Sequence, residues 1–152
     1  MNFSLSSPIG EIGFCLSENA LESIDFSSQK HVPDIENDLA RLTAGQLNAY
    51  FENPNVVFDI PLRVIGTTFQ QRVWSALRAI PAGETRSYGE LAKSLKSSPR
   101  AVGNACRRNP LPIIIPCHRV VSAKGIGGFS GDTSGENIRI KRWLLSHEGV
   151  NV

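Results

Sequence analysis

The chain has 152 residues, 41% of them hydrophobic, which is enough for one domain or for a compact domain with a smaller partner. No apolar run approaches the roughly 20 residues that span a bilayer, and the first residues lack the basic and apolar pattern of a signal peptide, so we expect a cytoplasmic protein that does not enter membranes. Its three cysteines have no CxxC spacing, which argues against a disulfide framework or a zinc ribbon. We expect no metal and no cofactor, and we interpret Cys15 and Cys106 as small buried apolar residues.

The net charge of +2 hides an asymmetry between the two parts of the chain. Residues 1–83 hold 5 Lys/Arg and 9 Asp/Glu, whereas residues 84–152 hold 11 Lys/Arg and 5 Asp/Glu. A basic half favours a polyanionic partner, most often nucleic acid. An imbalance of this size also occurs in proteins without such a partner, so charge alone leaves both interpretations open.

The first 64 residues have the pattern of a small sheet with a helix. Turn signals separate three short predicted strands, over 1–5, 12–16 and 21–26. A helix is predicted over 38–52, with a core face consisting of Leu39, Leu42, Leu47 and Phe51. A further strand is predicted over 56–61, and the domain boundary at 65–67.

The next segment is helical. Thr68 and Gln71 have the spacing of a capping box, which predicts a helix start. The apolar face of this helix is predicted to contain Phe69, Val73, Leu77 and Ile80. Pro81-Ala82-Gly83 then ends the helix.

Two short helices follow, as in a helix-turn-helix. Ser87 and Glu90 form a second capping box, opening a helix over 88–95, and Ser98-Pro99 opens another that runs to about 109, before Pro110. The residues of this second helix divide into a buried set, Ala101, Val102, Ala105 and Cys106, and a small, basic outer set, Arg100, Gly103, Asn104, Arg107 and Arg108. Such an outer surface favours DNA binding, although a solvated basic face remains the alternative.

A last helix is predicted over 136–147, with Ile140, Trp143, Leu144 and His147 at helical spacing. Glu148 lies at its end. From this segment alone, Glu148 is interpreted as an exposed charge at a helix terminus.

The candidate nucleophile lies in Pro116-Cys117-His118-Arg119-Val120. A thiol attacks as the thiolate, which a neighbouring imidazole and guanidinium favour. Pro112 and Pro116 restrict the backbone before it, so Cys117 is predicted to sit on a rigid turn.

Taken together, these motifs resemble those of the O6-alkylguanine-DNA alkyltransferases, the methylated-DNA–protein-cysteine methyltransferases. The similarity covers residues 65–149 in order: Gly66-Thr67-Thr68-Phe69-Gln70, Ile80-Pro81-Ala82-Gly83-Glu84-Thr85-Arg86-Ser87-Tyr88, Arg100-Ala101-Val102-Gly103, Asn109-Pro110, Ile115-Pro116-Cys117-His118-Arg119-Val120, Trp143-Leu144-Leu145 and His147-Glu148-Gly149. The resemblance implies an α/β (α+β) protein: a small ribonuclease-H-like α/β domain over 1–64, then a mainly helical domain over 65–152 that carries the helix-turn-helix and the methyl acceptor.

The resemblance also implies an activity: irreversible transfer of an alkyl group from O6-methylguanine, and from O4-methylthymine, to the protein's own cysteine. The acceptor is Cys117, with His118 taking its proton through a water and Glu148 holding the imidazole and favouring its charged form. Asn109 is the hinge beside the nucleophile, and Tyr88 presses on the flipped nucleotide and protonates guanine. These five residues form the expected catalytic set.

The implied partner is double-stranded DNA containing alkylated guanine or thymine, bound by a monomer through the minor groove. Arg100 fills the space of the extruded nucleotide, and the remaining expected DNA contacts are Ala101, Gly103, Asn104, Arg107 and Tyr88. The expected pocket residues are Pro112, Val120, Phe129, Ser130 and Gly131. The helix-turn-helix turn is shorter than is usual in the family, and residues 131–137 form an insertion.

Three other functions would explain part of this sequence. Alkyltransferase-like lesion sensors share the domain but lack the acceptor cysteine. The presence of Cys117 in this chain argues against that function. A cysteine hydrolase using Cys117 and His118 leaves the DNA-binding helices unexplained. A helix-turn-helix transcription factor has no room here for a further regulatory domain.

Overall fold

A computed structural model describes residues 2–26, 37–129 and 135–152. The chain divides into two compact units, Met1–Val64 and Ile65–Val152. The class is mixed α/β, as predicted; the likeness of the first unit to ribonuclease H stays a prediction. Among the described residues, no helix has the length and apolar character needed to cross a membrane.

The first unit contains a three-stranded antiparallel sheet in the order β1-β2-β3. Its strands are β1 (Asn2–Ser7), β2 (Gly10–Ser17) and β3 (Ala20–Asp25). Phe3 pairs with Phe14 across β1 and β2, and their rings stack 5.4 Å apart. All three predicted strands are present, but each is longer or shifted at its ends.

Helix α1 (Asp38–Glu52) packs against β1 and has the bounds predicted for it. Its buried face, however, consists of Ala40, Thr43, Leu47 and Tyr50. Of the four predicted core residues only Leu47 is buried; Leu39 and Phe51 are half-buried, and Leu42 is 42% exposed. The prediction chose large apolar residues that do not share one helical face, whereas the small Ala40 and Thr43 lie on the face that is buried.

The strand predicted over 56–61 is absent from the structure, and this prediction was wrong. The segment pairs with β3 at one point only, where the amide of Leu21 donates to the carbonyl of Pro61 and that of Arg63 donates to the carbonyl of Leu21. Pro61 has no amide hydrogen to extend the ladder, so pairing ends there.

The second unit begins with α2 (Thr68–Arg78). Its capping box is formed by Thr67 and Gln70, one residue earlier than predicted. Val73 and Leu77 are buried as expected, and so is Trp74, whose indole nitrogen donates to the carbonyl of Ala105 at 2.9 Å. This bond joins α2 to the second helix of the helix-turn-helix.

The helix-turn-helix consists of α3 (Tyr88–Ser94) and α4 (Pro99–Arg107), and the caps predicted for them, Ser87 with Glu90 and Ser98, are confirmed. Between the two helices, Lys96 adopts a φ of 55°. The amide of Ser97 donates to the carbonyl of Ala92, and that of Lys96 to the carbonyl of Lys93. This is a Schellman end in which lysine occupies the position that glycine usually takes.

Two short strands, β4 (Arg86–Ser87) and β5 (Val120–Val121), pair in parallel. This pairing places the start of α3 beside the residues that follow Cys117. The last helix, α5 (Glu136–His147), agrees with the predicted range.

Replacing Lys96 with glycine is expected to raise the free energy of unfolding by up to about 1 kcal/mol, because glycine adopts positive φ without the steric penalty of a Cβ atom. Lys93→Gly, within α3 itself, is the matched control and should lower it by about 1 kcal/mol. Urea unfolding of both variants measures the difference. Equal destabilisation by both substitutions would contradict the strain assigned to Lys96.

Candidate functional site

The turn before Cys117 is closed by the side chain of Asn109. Its amide nitrogen donates to the carbonyl of Ile115 at 2.7 Å, and its oxygen accepts from the amide of Leu111 at 2.9 Å. The amide of Ile115 also donates to the carbonyl of Leu111, so the turn is closed both by a backbone hydrogen bond and by the side chain of Asn109. Asn109 therefore fixes the path of the chain into the nucleophile.

The same turn contains a strained residue. Ile113 is buried and has a φ of 77°, a left-handed conformation that β-branched residues rarely adopt. Strain of this kind costs on the order of 1–3 kcal/mol and persists only where surrounding contacts enforce it. The predicted rigidity of this turn thus has a source beyond its prolines: the hydrogen bonds of Asn109 and the burial of all residues from 111 to 120.

Cys117 opens a single 3₁₀ turn, Cys117–Arg119, and is 5% exposed. Burial raises the pKa of its thiol above the ordinary value, while a hydrogen bond from Asn109 and the positive charge of Lys141 lower it in part. At rest the sulfur is therefore mainly a thiol, and the thiolate needs a base close by.

His118 and Glu148 are both buried, with 2.8 Å between His118 Nε2 and Glu148 Oε2. Arg119 donates to the same carboxylate twice, from Nε at 2.8 Å and from Nη2 at 2.9 Å. A carboxylate held by arginine in this way only accepts hydrogen bonds, so the proton on His118 is at Nε2. The Nδ1 atom is then left as a lone-pair acceptor, and among the described residues it is the buried side-chain nitrogen or oxygen without a hydrogen-bond partner.

Burial lowers the pKa of His118, although Glu148 opposes the shift. Glu148 does favour the charged form as expected, but its effect is outweighed, and the resting imidazole is neutral. A neutral imidazole with a free Nδ1 lone pair is a base.

Two expectations about charge need correction. Arg119 was expected to favour the thiolate, but its guanidinium binds Glu148 and also the carbonyl of Ile80, at 2.6 Å. The cation that lowers the pKa of Cys117 is Lys141 instead. Glu148, interpreted from its own segment as an exposed helix end, is buried between His118 and Arg119.

Lys141 is the residue of the site that sequence reasoning missed. It lies on α5, is fully buried, and donates to the carbonyls of Val120 at 2.7 Å and Gly128 at 2.9 Å. A signal was present: Lys141 falls at helical spacing between Ile138 and the pair Leu144 and Leu145, in the middle of the buried face.

Tyr88 is brought to the site by the pairing of β4 with β5. Its hydroxyl donates weakly to the carbonyl of Gly128, at 3.4 Å, and burial raises its pKa, so it stays protonated. Gly127 fits beneath it with a φ of 76°; a Cβ atom there would lie 3.1 Å from the Tyr88 ring. The loop 122–129 can therefore approach Tyr88 this closely only because residue 127 is glycine.

The outer surface of α4 agrees with its predicted division in most positions. Val102, Ala105 and Cys106 are buried, Ala101 and Gly103 are half-buried, and Arg100, Asn104, Arg107 and Arg108 are exposed. A groove of about 760 Å³ lies between the start of α2 and this surface, lined by Thr67, Phe69, Gln70, Ala101, Asn104, Ala105, Arg107 and Arg108. Small and basic groups thus border one concave surface.

The remaining predicted residues fall into two groups. Pro112, Val120 and Phe129 are buried. Ser130 and Gly131 lie outside the described residues. Of the cysteines interpreted as buried, Cys106 is buried, with its pKa raised to about 12, whereas Cys15 is half-buried. Within the described ranges, no group of three His, Cys, Asp or Glu is arranged to hold a metal ion.

Comparison with known proteins identifies the family. Residues 68–150 match the family model described as the DNA binding domain of 6-O-methylguanine DNA methyltransferase. A methylated-DNA–protein-cysteine methyltransferase of Methanosarcina acetivorans is 45% identical over 151 residues, covering 94% of this chain and 94% of the relative. The chain therefore belongs to the methylated-DNA–protein-cysteine methyltransferases. It is an enzyme of DNA repair that acts by alkyl transfer.

Solved structures agree with this family. The crystal structure of Mycobacterium tuberculosis OGT in complex with DNA has a TM-score of 0.82 and 40% identity, over 97% of this chain and 91% of that one. An O6-methylguanine DNA methyltransferase from Methanococcus jannaschii has a TM-score of 0.71 and 29% identity, over 99% of this chain and 95% of that one.

We expect Glu148→Gln to lower the free energy of unfolding by roughly 3 kcal/mol, because it leaves the buried guanidinium of Arg119 without a counter-charge. Glu136→Gln, which breaks the exposed pair with Arg139, is the control and should have a far smaller effect. Denaturant unfolding at pH 7 measures both. Similar effects of the two substitutions would show that the buried carboxylate does not organise this site.

Proposed function

We propose that this protein repairs DNA by transferring the alkyl group from O6 of alkylated guanine to the sulfur of its own Cys117. The observation that carries the proposal is the buried contact of His118 with Glu148, which leaves a neutral imidazole with a free Nδ1 on the residue after the cysteine. The family model for residues 68–150 supports DNA as the source of the alkyl group.

The first step is activation of the thiol. His118 Nδ1 takes the proton of Cys117 through a water, while Glu148 stabilises the imidazolium that forms. Burial opposes both charged groups, so the neutral thiol and the neutral imidazole are the resting forms. Arg119 keeps the carboxylate ionised and correctly oriented throughout.

The second step is a single substitution at the alkyl carbon. The sulfur–carbon bond forms as the carbon–O6 bond breaks, and the electron pair passes to the guanine ring. Tyr88, whose raised pKa keeps its hydroxyl protonated, donates a proton to guanine N3 as charge develops there. The thioether is not readily cleaved, so each molecule acts once.

Recognition of the lesion requires the nucleotide to leave the stack, at a cost of a few kcal/mol. Arg100, exposed at the start of α4, fills the vacated space from the minor groove. The small residues Ala101 and Gly103 allow the helix close to the backbone, while Asn104 and Arg107 contact it. The M. tuberculosis OGT structure in complex with DNA supports DNA as the partner.

The pocket for the flipped base is formed by Pro112, Val120 and Phe129, with Ser130 and Gly131. The carbonyls of Cys117 and Val120 read the exocyclic amine of guanine; Val120 already accepts from Lys141, and a carbonyl has a second lone pair. O4-methylthymine is the second proposed substrate. The protein acts as a cytoplasmic monomer on double-stranded DNA.

Incubation with duplex DNA containing one O6-methylguanine tests the transfer. The intact protein mass should rise by one methyl group, once per molecule, with the modification mapped to Cys117. Cys117→Ala should bind the same DNA without gaining mass, and Cys106→Ala is the matched control that keeps transfer. Tight binding without transfer by the wild type would indicate a lesion sensor, and repeated turnover a hydrolase; either result overturns the proposal.

Arg100→Ala tests the extrusion step. The variant should repair duplex DNA at least about tenfold more slowly, because no side chain then fills the space that the extruded nucleotide leaves in the stack. Its reaction with free O6-benzylguanine, which needs no extrusion, should be normal. Arg142→Ala, an exposed arginine on α5, is the charge-matched control. Equal losses on both substrates would contradict the role of Arg100.

A further inference from the structure

Lys141 is a buried cation without a carboxylate partner. It is fully buried, and no salt bridge formed by the described residues includes it. Burying an ammonium group is unfavourable unless its donors are used, and Lys141 donates to two backbone carbonyls at 2.7 and 2.9 Å. A charge retained at this cost in the interior, beside the nucleophile, calls for a role.

The two carbonyls belong to two separate segments of the chain, each of which contributes a residue to the proposed pocket. Val120 directly follows the turn that contains Cys117, whereas Gly128 directly precedes Phe129 in the loop after β5. One ammonium group on α5 thus bridges the nucleophile segment and the loop.

The Gly128 carbonyl has a second donor, the hydroxyl of Tyr88, at 3.4 Å. Tyr88 is also the proposed donor to the flipped guanine, and its single hydroxyl proton serves one acceptor at a time. When Tyr88 turns to the nucleotide, Gly128 retains only Lys141. The stronger, charge-assisted bond therefore has to hold the loop during the reaction.

We propose that Lys141 is a positioning residue for alkyl transfer: it ties the Gly128 loop to the Val120 segment while Tyr88 engages the substrate, and it presents a positive charge to Cys117. This inference rests on the proposed transfer to Cys117 and adds a residue that acts on it from α5.

The charge of Lys141 acts on several groups around it. On the nucleophile turn it lowers the pKa of Cys117 and of His118, and on α4 it lowers that of Cys106. On α3 the Tyr88 ring centroid lies 6.0 Å from Nζ. Burial lowers the pKa of Lys141 itself to about 8, so it is mostly charged at pH 7. Neutralising Lys141 therefore disfavours the thiolate of Cys117.

Three variants test the proposal: Lys141→Met removes the charge and all donors, Lys141→Gln keeps a donor without charge, and Lys141→Arg keeps both. Arg142→Met removes one positive charge from the adjacent exposed position of the same helix and is the matched control. The rate of transfer from free O6-benzylguanine is measured for each. A second measurement is the pH dependence of iodoacetamide modification of Cys117, mapped by mass spectrometry, which requires no alkyltransferase activity.

The neutral variants should lose at least about tenfold in transfer, and the pH at which iodoacetamide modifies Cys117 should move upwards by about one unit, since one pKa unit is a tenfold change in thiolate. Lys141→Arg should retain part of the transfer rate and part of the wild-type pH dependence of modification, and Arg142→Met should match the wild type in both. Melting curves establish that the variants are folded. If Lys141→Met does not fold, Lys141→Gln serves as the neutral variant in both measurements.

A folded neutral variant with wild-type transfer and an unchanged modification profile would overturn the proposal. Failure of the underlying function looks different, because the wild type itself would then show no benzyl transfer, whereas the modification profile would still report on Lys141.

Discussion

The carboxylate of Glu148, buried between Arg119 and His118, is the contact on which the rest of the site depends. Through it, the end of α5 is joined to the nucleophile turn, and Arg119 extends the connection to the carbonyl of Ile80 after α2. Three separate segments are therefore joined through the ion pair of Glu148 and Arg119. The same contact fixes the imidazole tautomer, so the feature that holds this part of the fold together also determines which nitrogen is the base in the proposed transfer.

Burial sets the resting protonation of Cys117 and His118, the pair that acts in the proposed transfer. It raises the pKa of Cys117 and lowers that of His118, which favours a neutral thiol beside a neutral imidazole. Separated charge is stabilised only by groups already in place: Glu148 for the imidazolium, and Lys141 with Asn109 for the thiolate. In the proposed reaction, the raised pKa of Cys117 lowers the fraction of reactive thiolate in the resting protein.

Local sequence signals predicted the helices of the second unit well, because Ser87 and Ser98 mark their starts by capping, a property of neighbouring residues alone. Signals that depend on the partner surface were less informative. The buried face of α1 is set by what packs on it, so the exposed Leu42 was misassigned, and the segment before Leu62 pairs too briefly to form a strand.

In the site, the adjacent Cys117 and His118 could be found by inspection and Glu148 through the resemblance. Lys141 was missed although its helical spacing places it on the buried face of α5, since a lysine is expected at the surface until the carbonyls it binds are known.

The turn from Asn109 to Cys117 shows how a strained backbone is retained. Left-handed geometry at Ile113 is unfavourable by about 1–3 kcal/mol, an amount that the two hydrogen bonds of Asn109 can offset at about 1 kcal/mol each. Relaxing Ile113 to an ordinary φ would redirect the chain and break the bond from Asn109 to Ile115, two residues before the sulfur. Because all neighbouring side chains are buried, no compensating movement is available without opening the core. The position of the nucleophile is therefore determined by the same contacts that enforce the strain, and Asn109 couples the end of α4, which faces the DNA in the proposed complex, directly to Cys117.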